Sequence, residues 1–484
     1  MNLINKTIKG ITWTLLENVS MQLISLLTFV ILARNISASD FGTVAFAIVF
    51  IEFCQCIVSR GMSDALVQKK VINKIHLSSM FYGSIILGSL MFFFLLLISN
   101  LVEFLYQNSE LSLVIKALSL SIVFDSIGIT HESKIKREME FKKLSIINIS
   151  SRFMSGIVGI VGALIGWGIW ALVSQNLIYS ISKLILIFIF SNWLPMFKIS
   201  FYEFKELFLF GIKVIGNSIL SFFDSRMDVF FIGTFLGLTA LGYYTIANKI
   251  LIIVWQIMQK GFVRVLSTVF AKLQSNPIEF KKLFKNFLTL NFLILFPILI
   301  GGIILADELI NVIFGTNWTK SILIMQIMFF GGLVYVTMGY LGVILTALGK
   351  PGLLFKIKIW ITIARALALF IASQISLIVI TSTNSIFAYL IITPIYIYYF
   401  KREIGINLND FFDCFKKAFI CCLFMSVALL LSINFINFNY NIFNLFLNLL
   451  IGVFVYMVFV FIFYKSEIKL FLNFNKNEKR IKSI

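Results

Sequence analysis

The sequence predicts an all-α polytopic membrane protein with about 14 transmembrane helices. Three observations lead to this fold class. Hydrophobic residues make up 60% of the 484 residues and charged residues only 13%, whereas about 25% charged residues is usual in soluble domains. Apolar runs long enough to cross a bilayer recur along the whole chain. The basic residues between these runs are concentrated in every second loop, which is typical of chains that cross a membrane repeatedly.

The positions of the basic residues predict the orientation in the membrane. Most of the 41 Lys and Arg lie in the N-terminal arm, the C-terminal tail and alternate loops, and only Arg34 and Lys320 fall in the other set of loops. Because cytoplasmic loops collect Lys and Arg, both termini are predicted to be cytoplasmic. These loops face anionic lipid headgroups and explain the net charge of +19, so membrane lipids rather than nucleic acid are the expected partners.

The individual spans follow from helix length. A helix that rises 1.5 Å per residue needs about 20 residues to cross about 30 Å of hydrocarbon. The loops on the outer side are short, which leaves no room for a soluble domain. The predicted spans lie near 11–33, 41–59, 78–99, 111–130, 145–165, 168–190, 208–234, 242–262, 286–305, 320–347, 354–373, 376–399, 417–436 and 442–464.

Two inner segments have the pattern of amphipathic helices. Residues 131–143 mix charges with apolar residues at helical spacing, and 266–285 is similar. Each is predicted to lie on the inner leaflet, with an ordinary solvated loop helix as the open alternative. His76 and His131 fall in basic inner loops in this segmentation.

An internal repeat relates the two halves of the chain. Gly10-Ile11 opens the first span and Gly211-Ile212 the seventh, and Gly42 and Gly242 begin equivalent spans 200 residues apart. Six spans separate the copies, so both copies have the same orientation. Such parallel repeats surround a central substrate path. The predicted domains are a six-helix bundle over 1–200, its repeat over 201–400, and two extra helices with a basic cytoplasmic tail over 401–484.

Five segments in order carry a resemblance to a known family. The run LARNISASDFG (Leu32 to Gly42) resembles the first outward loop of the polysaccharide and lipid-linked oligosaccharide flippases of the multidrug/oligosaccharidyl-lipid/polysaccharide exporter superfamily. Four later segments are most similar to the branch that exports colanic-acid- and teichuronic-acid-type polysaccharides. These segments are RGMSDALVQ (Arg60 to Gln68), REMEFKKL (Arg137 to Leu144), GWGIWALV (Gly166 to Val173), and Arg226-Met227-Asp228 with Ile232-Gly233 and Leu241-Gly242-Tyr243-Tyr244.

The resemblance covers roughly residues 5–350 and implies a function. Members of this family move an undecaprenyl-pyrophosphate-linked oligosaccharide from the inner to the outer leaflet by alternating access, for O-antigen, capsule or exopolysaccharide biosynthesis. The resemblance therefore implies a multi-pass protein of a bacterial or archaeal cytoplasmic (inner) membrane. It also implies a lipid-linked oligosaccharide substrate, a coupling ion (H⁺ or Na⁺), and a polysaccharide polymerase and assembly proteins as partners.

Ionisable residues deep in the predicted spans indicate where such a substrate would bind. A charge inside a bilayer needs a partner, water or a route to the interface. Asp224 and Asp228 share one helix face because they are four residues apart, and Arg226 points away from them. Several charged groups on different helices indicate a wet cavity, with helix-locking ion pairs as the alternative. The deep groups are Glu52, Asp224, Arg226, Asp228, Lys249 and Arg365.

The chemistry of the substrate divides these groups into two roles. An anionic, hydroxylated headgroup needs cations and hydrogen-bond donors, which predicts Arg226, Lys249 and Arg365 as substrate-binding residues. Carboxylates in a low-dielectric site take up H⁺ or Na⁺, which predicts Glu52, Asp224 and Asp228 as coupling-ion groups.

Shallower charges are predicted near the inner side of the membrane. Glu17, Arg152 and Lys213 would lie at the inner mouth, with Lys213 placed to pair with Glu17. Lys116 and Lys183 are close enough to span ends for their ammonium groups to reach the interface.

Other function classes find little support in the sequence. No phosphate-binding G-x-x-x-x-G-K-[ST] run occurs, and the five cysteines lack metal-ligand spacing, so no cofactor, metal or catalytic residue is predicted and the chain is not expected to be an enzyme. The alternatives are a cation-coupled multidrug exporter of the same superfamily and a membrane polysaccharide polymerase or ligase. Such polymerases and ligases typically carry a large outward loop, which this chain lacks.

Overall fold

The computed structural model describes residues 3–60, 63, 66–67, 69, 72–198, 200–258, 270, 273–274, 276–435 and 442–464. Over these residues the protein is built from helices joined by short turns, and the described residues form no strand. The all-α fold class predicted from the sequence is confirmed.

The described residues form two compact units, 1–245 and 246–484. The first contains α1 (Leu3–Asn35), α2 (Ala38–Gln55), α3 (Lys74–Tyr106), α4 (Ser109–Arg137), α5 (Phe141–Leu164), α6 (Ile169–Phe190), α7 (Phe201–Phe231) and the start of α8 (Leu238–Met258). The second contains the rest of α8, then α9 (Pro277–Ile304), α10 (Ala306–Leu309), α11 (Ser321–Met338), α12 (Leu341–Ala347), α13 (Pro351–Ser373), α14 (Leu377–Phe387), α15 (Thr393–Ile404), α16 (Leu408–Phe435) and α17 (Ile442–Phe463). The predicted division at 200 and 400 stays a prediction.

Eleven helical segments of the described chain are long and apolar enough to cross a membrane. Helix α7 and helix α13 are not among them and carry charges along their length, including Arg226 and Arg365. Helix α11 contributes a shorter apolar stretch, Ser321–Tyr335. The number of about 14 spans therefore stays a prediction, whereas the multi-pass architecture follows from the eleven.

Small residues bring the helices of the first unit together. Helices α3 and α4, α5 and α6, and α1 and α5 pack along much of their length. A Cβ on Gly88 of α3 would overlap the side chain of Ser126 on α4, and a Cβ on Gly156 of α5 would lie 2.9 Å from the Thr28 hydroxyl. Glycine and serine allow this close approach in apolar surroundings, where dispersion contacts drive helix association.

A reciprocal contact joins the beginnings of α2 and α8 within the first unit. A Cβ on Gly42 would overlap the carbonyl oxygen of Leu238, and a Cβ on Gly242 would overlap the carbonyl oxygen of Ala38. Each residue and its counterpart differ by 200 in number, the same offset as in the sequence repeat. The two helix starts therefore meet in a locally two-fold arrangement.

Two sequence expectations, about residues 131–143 and about the two histidines, are wrong. Helix α4 runs unbroken to Arg137 and α5 begins at Phe141, so residues 131–143 form no separate helix on the leaflet. His131 is completely buried inside α4. His76 is buried in the first turn of α3, where Asn73 accepts the hydrogen bond from its backbone N–H at 2.8 Å. The other segment predicted to be an amphipathic helix, 266–285, falls largely outside the described residues. From Pro277 onward the chain belongs to α9.

The second unit is organised around α9. Helices α11 and α16 both pack on it, and α17 packs on α16. The buried Tyr340 hydroxyl donates to the Asn291 side-chain oxygen of α9 at 2.7 Å. Phe424 of α16 and Phe459 of α17 stack with ring centroids 4.0 Å apart. The last two helices are thus held by aromatic packing and by α9.

Candidate functional site

The predicted deep charges of α2 and α7 meet in an ion pair. Arg226 donates from Nε and Nη2 to the two oxygens of Glu52, and both distances are 2.6 Å. This fork geometry is the strongest form of the guanidinium–carboxylate pair. Both side chains remain 32% exposed. The pair therefore joins α2 and α7 and leaves part of each charged side chain exposed.

The aspartates of α7 lie on another side of that helix from Arg226. Tyr244 donates its hydroxyl to the carboxylate of Asp228, which is 8% exposed. Asp224, one turn earlier, is half-buried. Arg226 and Asp228 thus have different partners, Glu52 of α2 and Tyr244 of α8.

Aromatic rings line the neighbourhood of this ion pair. Phe53, next to Glu52, packs against Phe222 and Phe223 of α7 with ring centroids 5.6 and 6.2 Å away. A charge pair gains strength where apolar side chains lower the local dielectric.

The other predicted substrate-binding cations belong to the second unit. Arg365 of α13 donates from Nε to the Asn384 side-chain oxygen of α14 at 2.9 Å. Lys249 lies half-buried on α8. Their meeting with Arg226 in one cavity stays a prediction.

Two of the residues expected at the inner mouth, Glu17 and Arg152, contact different partners. Glu17 of α1 accepts hydrogen bonds from Ser145 Oγ at 2.9 Å and Asn148 Nδ2 at 2.7 Å, both on α5. Arg152 lies over the ring of Tyr179, with 4.5 Å from its guanidinium carbon to the ring centroid. The side chain of Lys213 lies outside the described residues, so its pairing with Glu17 stays a prediction. Glu17 serves as an anchor between α1 and α5.

A charged cavity that the sequence reasoning missed lies between α2, α4 and α6. It encloses about 300 Å³. Glu132 of α4 pairs with Lys136 at 2.6 Å and with Lys183 of α6 at 2.8 Å. That the Lys183 ammonium reaches the interface stays a prediction. Asp125, seven residues before Glu132 on the same helix face, accepts from Gln55 Nε2 at 2.8 Å.

A second charge cluster ties the start of α7 to the start of α3. Lys69 Nζ lies 2.6 Å from both Glu206 Oε2 and His76 Nε2, and His76 also contacts Glu203. The hydrogen bond from Lys69 is the main reason that the pKa of the Glu206 carboxyl lies below its usual range. His76, Glu203 and Glu206 offer three close ligand atoms. The Lys69 ammonium already supplies a positive charge among them, so the group reads as an ion-pair cluster.

The sequence matches a known protein family. A model of a family described as polysaccharide biosynthesis protein matches residues 31–323, which is more than half of the sequence. The chain belongs to this polysaccharide biosynthesis protein family. The matched region contains the Glu52–Arg226 pair, the charged cavity and the Lys69 cluster.

Individual proteins similar to this chain align with more of its length than the family model does. The chain is 25% identical over 424 residues to the teichuronic acid biosynthesis protein TuaB of Bacillus subtilis (strain 168), covering 86% of this chain and 87% of TuaB. It is 24% identical over 315 residues to the succinoglycan biosynthesis transport protein ExoT of Rhizobium meliloti (strain 1021), covering 65% of this chain and 63% of ExoT. The resemblance predicted from the five sequence segments is confirmed.

The fold of this polysaccharide biosynthesis protein is shared with a solved transporter. The structure of the lipid II flippase MurJ in an inward closed conformation superposes with a TM-score of 0.74 at 16% identity, covering 94% of this chain and all of that chain. The similarity reaches beyond the family match, which ends at residue 323, into the C-terminal part.

Proposed function

We propose that this protein flips undecaprenyl-pyrophosphate-linked oligosaccharides from the inner to the outer leaflet of the cytoplasmic membrane, for the synthesis of a surface polysaccharide (O-antigen, capsule or exopolysaccharide). The observation that carries the proposal is the membership of a chain made of membrane-length helices in a polysaccharide biosynthesis family. Hydrophilic sugar precursors cross a bilayer on a lipid carrier only if a protein shields the headgroup, because its charges and hydroxyls are costly in hydrocarbon.

The Glu52–Arg226 pair suits this task. Its atoms are half-buried beside aromatic rings, yet 32% of each side chain stays exposed. A pyrophosphate competes with Glu52 for the guanidinium, because phosphate and carboxylate oxygens both fit the Arg fork. Substrate binding thus releases the Glu52 carboxylate and loosens α2 from α7, which links occupancy to helix movement in an alternating-access cycle.

The remaining charges complete the proposed cycle. Lys249 and Arg365 join Arg226 in binding the headgroup, and Glu17, Arg152 and Lys213 lie at the inner mouth. Glu52, Asp224 and Asp228 take up the coupling ion, H⁺ or Na⁺. Both termini are cytoplasmic, and a polysaccharide polymerase with its assembly proteins receives the flipped unit. The chain acts as a transporter with no catalytic step and no cofactor.

Reconstitution in liposomes tests the proposal. The substrate is a fluorescent undecaprenyl-pyrophosphate oligosaccharide placed in both leaflets, and a glycosidase added outside reports which molecules become accessible. We expect protein-dependent exposure of the inner pool, weakened in R226A and in K249A. Unchanged accessibility, together with extrusion of ethidium-like cations by the same vesicles, would instead identify a multidrug exporter.

A further inference from the structure

The cavity between α2, α4 and α6 has an unusual lining for an apolar unit. Four of its side chains are ionisable, namely Asp125, Glu132, Lys136 and Lys183. Gln55, Ser63 and Ser180 add polar groups. A void of about 300 Å³ with such a lining has room and partners for several water molecules. The cavity is therefore a polar site with room for water between three membrane-length helices.

Within this cavity the two carboxylates differ in how they are held. Glu132 is neutralised by two lysines, at 2.6 and 2.8 Å. Asp125 has no ion-pair partner among the described lysines and arginines. It accepts from the Gln55 amide at 2.8 Å and from the Ser180 hydroxyl, which are both neutral donors. Asp125 is thus the carboxylate of the cavity that makes no ion pair within the described residues, although Lys183, which pairs with Glu132, attracts it from a greater distance.

The chemistry around Asp125 favours a proton over a metal cation. A metal cation needs several oxygen lone pairs around it. Here the Gln55 amide and the Ser180 hydroxyl turn hydrogens toward the carboxylate, and Lys183 on α6 and Lys136 on α4 face the same cavity. A proton needs only one carboxylate oxygen. Tyr179, beside Lys183, is the remaining titratable neighbour on α6.

The Gln55 contact connects this cavity to the Glu52–Arg226 pair. Glu52 and Gln55 are three residues apart on α2, so their side chains lie on one side of the helix. Helix α2 ends at Gln55, and the chain continues as a π-helical turn over Cys56–Arg60. Such turns often occur at functional sites and mark places where a helix departs from regular geometry. A change at Asp125 is therefore transmitted through one hydrogen bond to the helix that carries Glu52.

We propose that Asp125 is a proton-binding site of the N-terminal unit, and that its protonation weakens the hydrogen bond from Gln55 and thereby biases the Glu52–Arg226 pair. The proton comes from water in the cavity and binds a carboxylate oxygen of Asp125. The charge-assisted hydrogen bond from Gln55 becomes a weaker neutral one, so the polar contact between α2 and α4 is loosened. This inference rests on the proposed function and adds to it a coupling residue separate from Glu52, Asp224 and Asp228.

Two measurements on the full-length protein in liposomes test the inference. The first is an infrared titration of protein carrying ¹³C-labelled aspartate carboxyls, in the absence of substrate, as the pH is lowered through neutrality. We expect an aspartate protonation signal that D125N lacks. The matched control is E110Q, an exposed position at the start of the same helix, which keeps every aspartate signal. The second is the ratio of flipping rates with and without an imposed proton gradient.

The two measurements separate the possible failures. We expect the flipping ratio to exceed unity in the wild type and in E110Q and to fall to unity in D125N. The variant Q55A keeps the protonatable Asp125, so it should retain the aspartate signal and lose the effect of the proton gradient. Q55A therefore tests the inference even if D125N does not fold. An aspartate signal unchanged in D125N, or a wild-type ratio in Q55A, overturns the inference. A wild type that protonates Asp125 but moves no lipid-linked sugar contradicts the proposed function instead.

Discussion

Gly42 and Gly242 lie 200 residues apart and each packs against the backbone of the other's helix. A Cβ on either residue would overlap a carbonyl oxygen, that of Leu238 for Gly42 and that of Ala38 for Gly242. Since a carbonyl of a helix start cannot rotate away as a side chain can, glycine is required at both places. The contacting residues of the two helices are related by the same 200-residue separation as the copies of the sequence repeat.

The first prediction concerns this contact. Gly42→Ala and Gly242→Ala should each destabilise the protein by about 1–3 kcal/mol, as overpacking usually does. Thermal unfolding of the detergent-solubilised protein measures this. Gly301→Ala is the control, because its added methyl would lie 3.8 Å from the Met425 methyl, an ordinary contact. Equal unfolding temperatures for all three variants would contradict the close approach.

The second prediction concerns the coupling of Glu52 and Arg226. Glu52→Gln and Arg226→Gln should each cost about 1–2 kcal/mol, which is less than for a fully buried pair because both side chains are partly exposed. The double variant should cost less than the sum of the two, since the second change removes a charge already left unpaired. A double-mutant cycle by thermal unfolding measures the difference. Arg402→Gln, whose side chain is 59% exposed and whose partner Glu403 keeps its pairing with Lys350, serves as a control with little expected effect.

The third prediction concerns the charges of the cavity in the first unit. Lys183→Met leaves Glu132 with Lys136 as its remaining partner and should lower the unfolding temperature, because an incompletely compensated charge in a low-dielectric site is costly. Adding Glu132→Gln should recover part of the loss. Lys116→Met on α4 is the comparison, and we expect a smaller effect. If Lys183→Met unfolds no earlier than Lys116→Met, the ion pair does not stabilise the unit.

The fourth prediction is a pH dependence of stability at the Lys69 cluster. Lys69 lowers the pKa of Glu206, so the stabilisation from ionised Glu206 is present above the usual glutamate pKa and is lost as the pH falls through the lowered value. Wild type and Glu206→Gln should differ in unfolding temperature near neutrality and converge at acid pH. Adding salt should also reduce the difference, because Glu206 is exposed. A difference that grows on acidification would contradict the interaction.

The fold class and the family were predictable from the sequence because both rest on long stretches. Hydropathy over about 20 residues and five ordered segments tolerate errors at any one position. The direction of Arg226, away from Asp228, was also predictable, since helical spacing alone determines it. Its partner Glu52 was noticed as a charge, but 174 residues of chain separate the two, and spacing does not report such contacts.

Other parts of the site were missed for a local reason. The predicted fourth span ends at 130, which places His131 and Glu132 outside it, although α4 continues to Arg137. Asp125 and Glu132 are seven residues apart, a spacing that places two carboxylates on one helix face, and this signal was available. The pairing of Glu132 with Lys183 required knowledge of how α4 and α6 pack, which a single sequence does not contain.

The most direct test of the central claim is the glycosidase-protection assay with wild type, Arg226→Ala and Arg402→Ala in matched liposomes. We expect wild type and Arg402→Ala to expose the inner pool of lipid-linked oligosaccharide at similar rates. We expect Arg226→Ala to do so at least about tenfold more slowly, because the loss of a charge-assisted contact to phosphate costs about 1.5–3 kcal/mol. Equal rates for wild type and Arg226→Ala, or no exposure of the inner pool by the wild type, would contradict flipping that depends on Arg226.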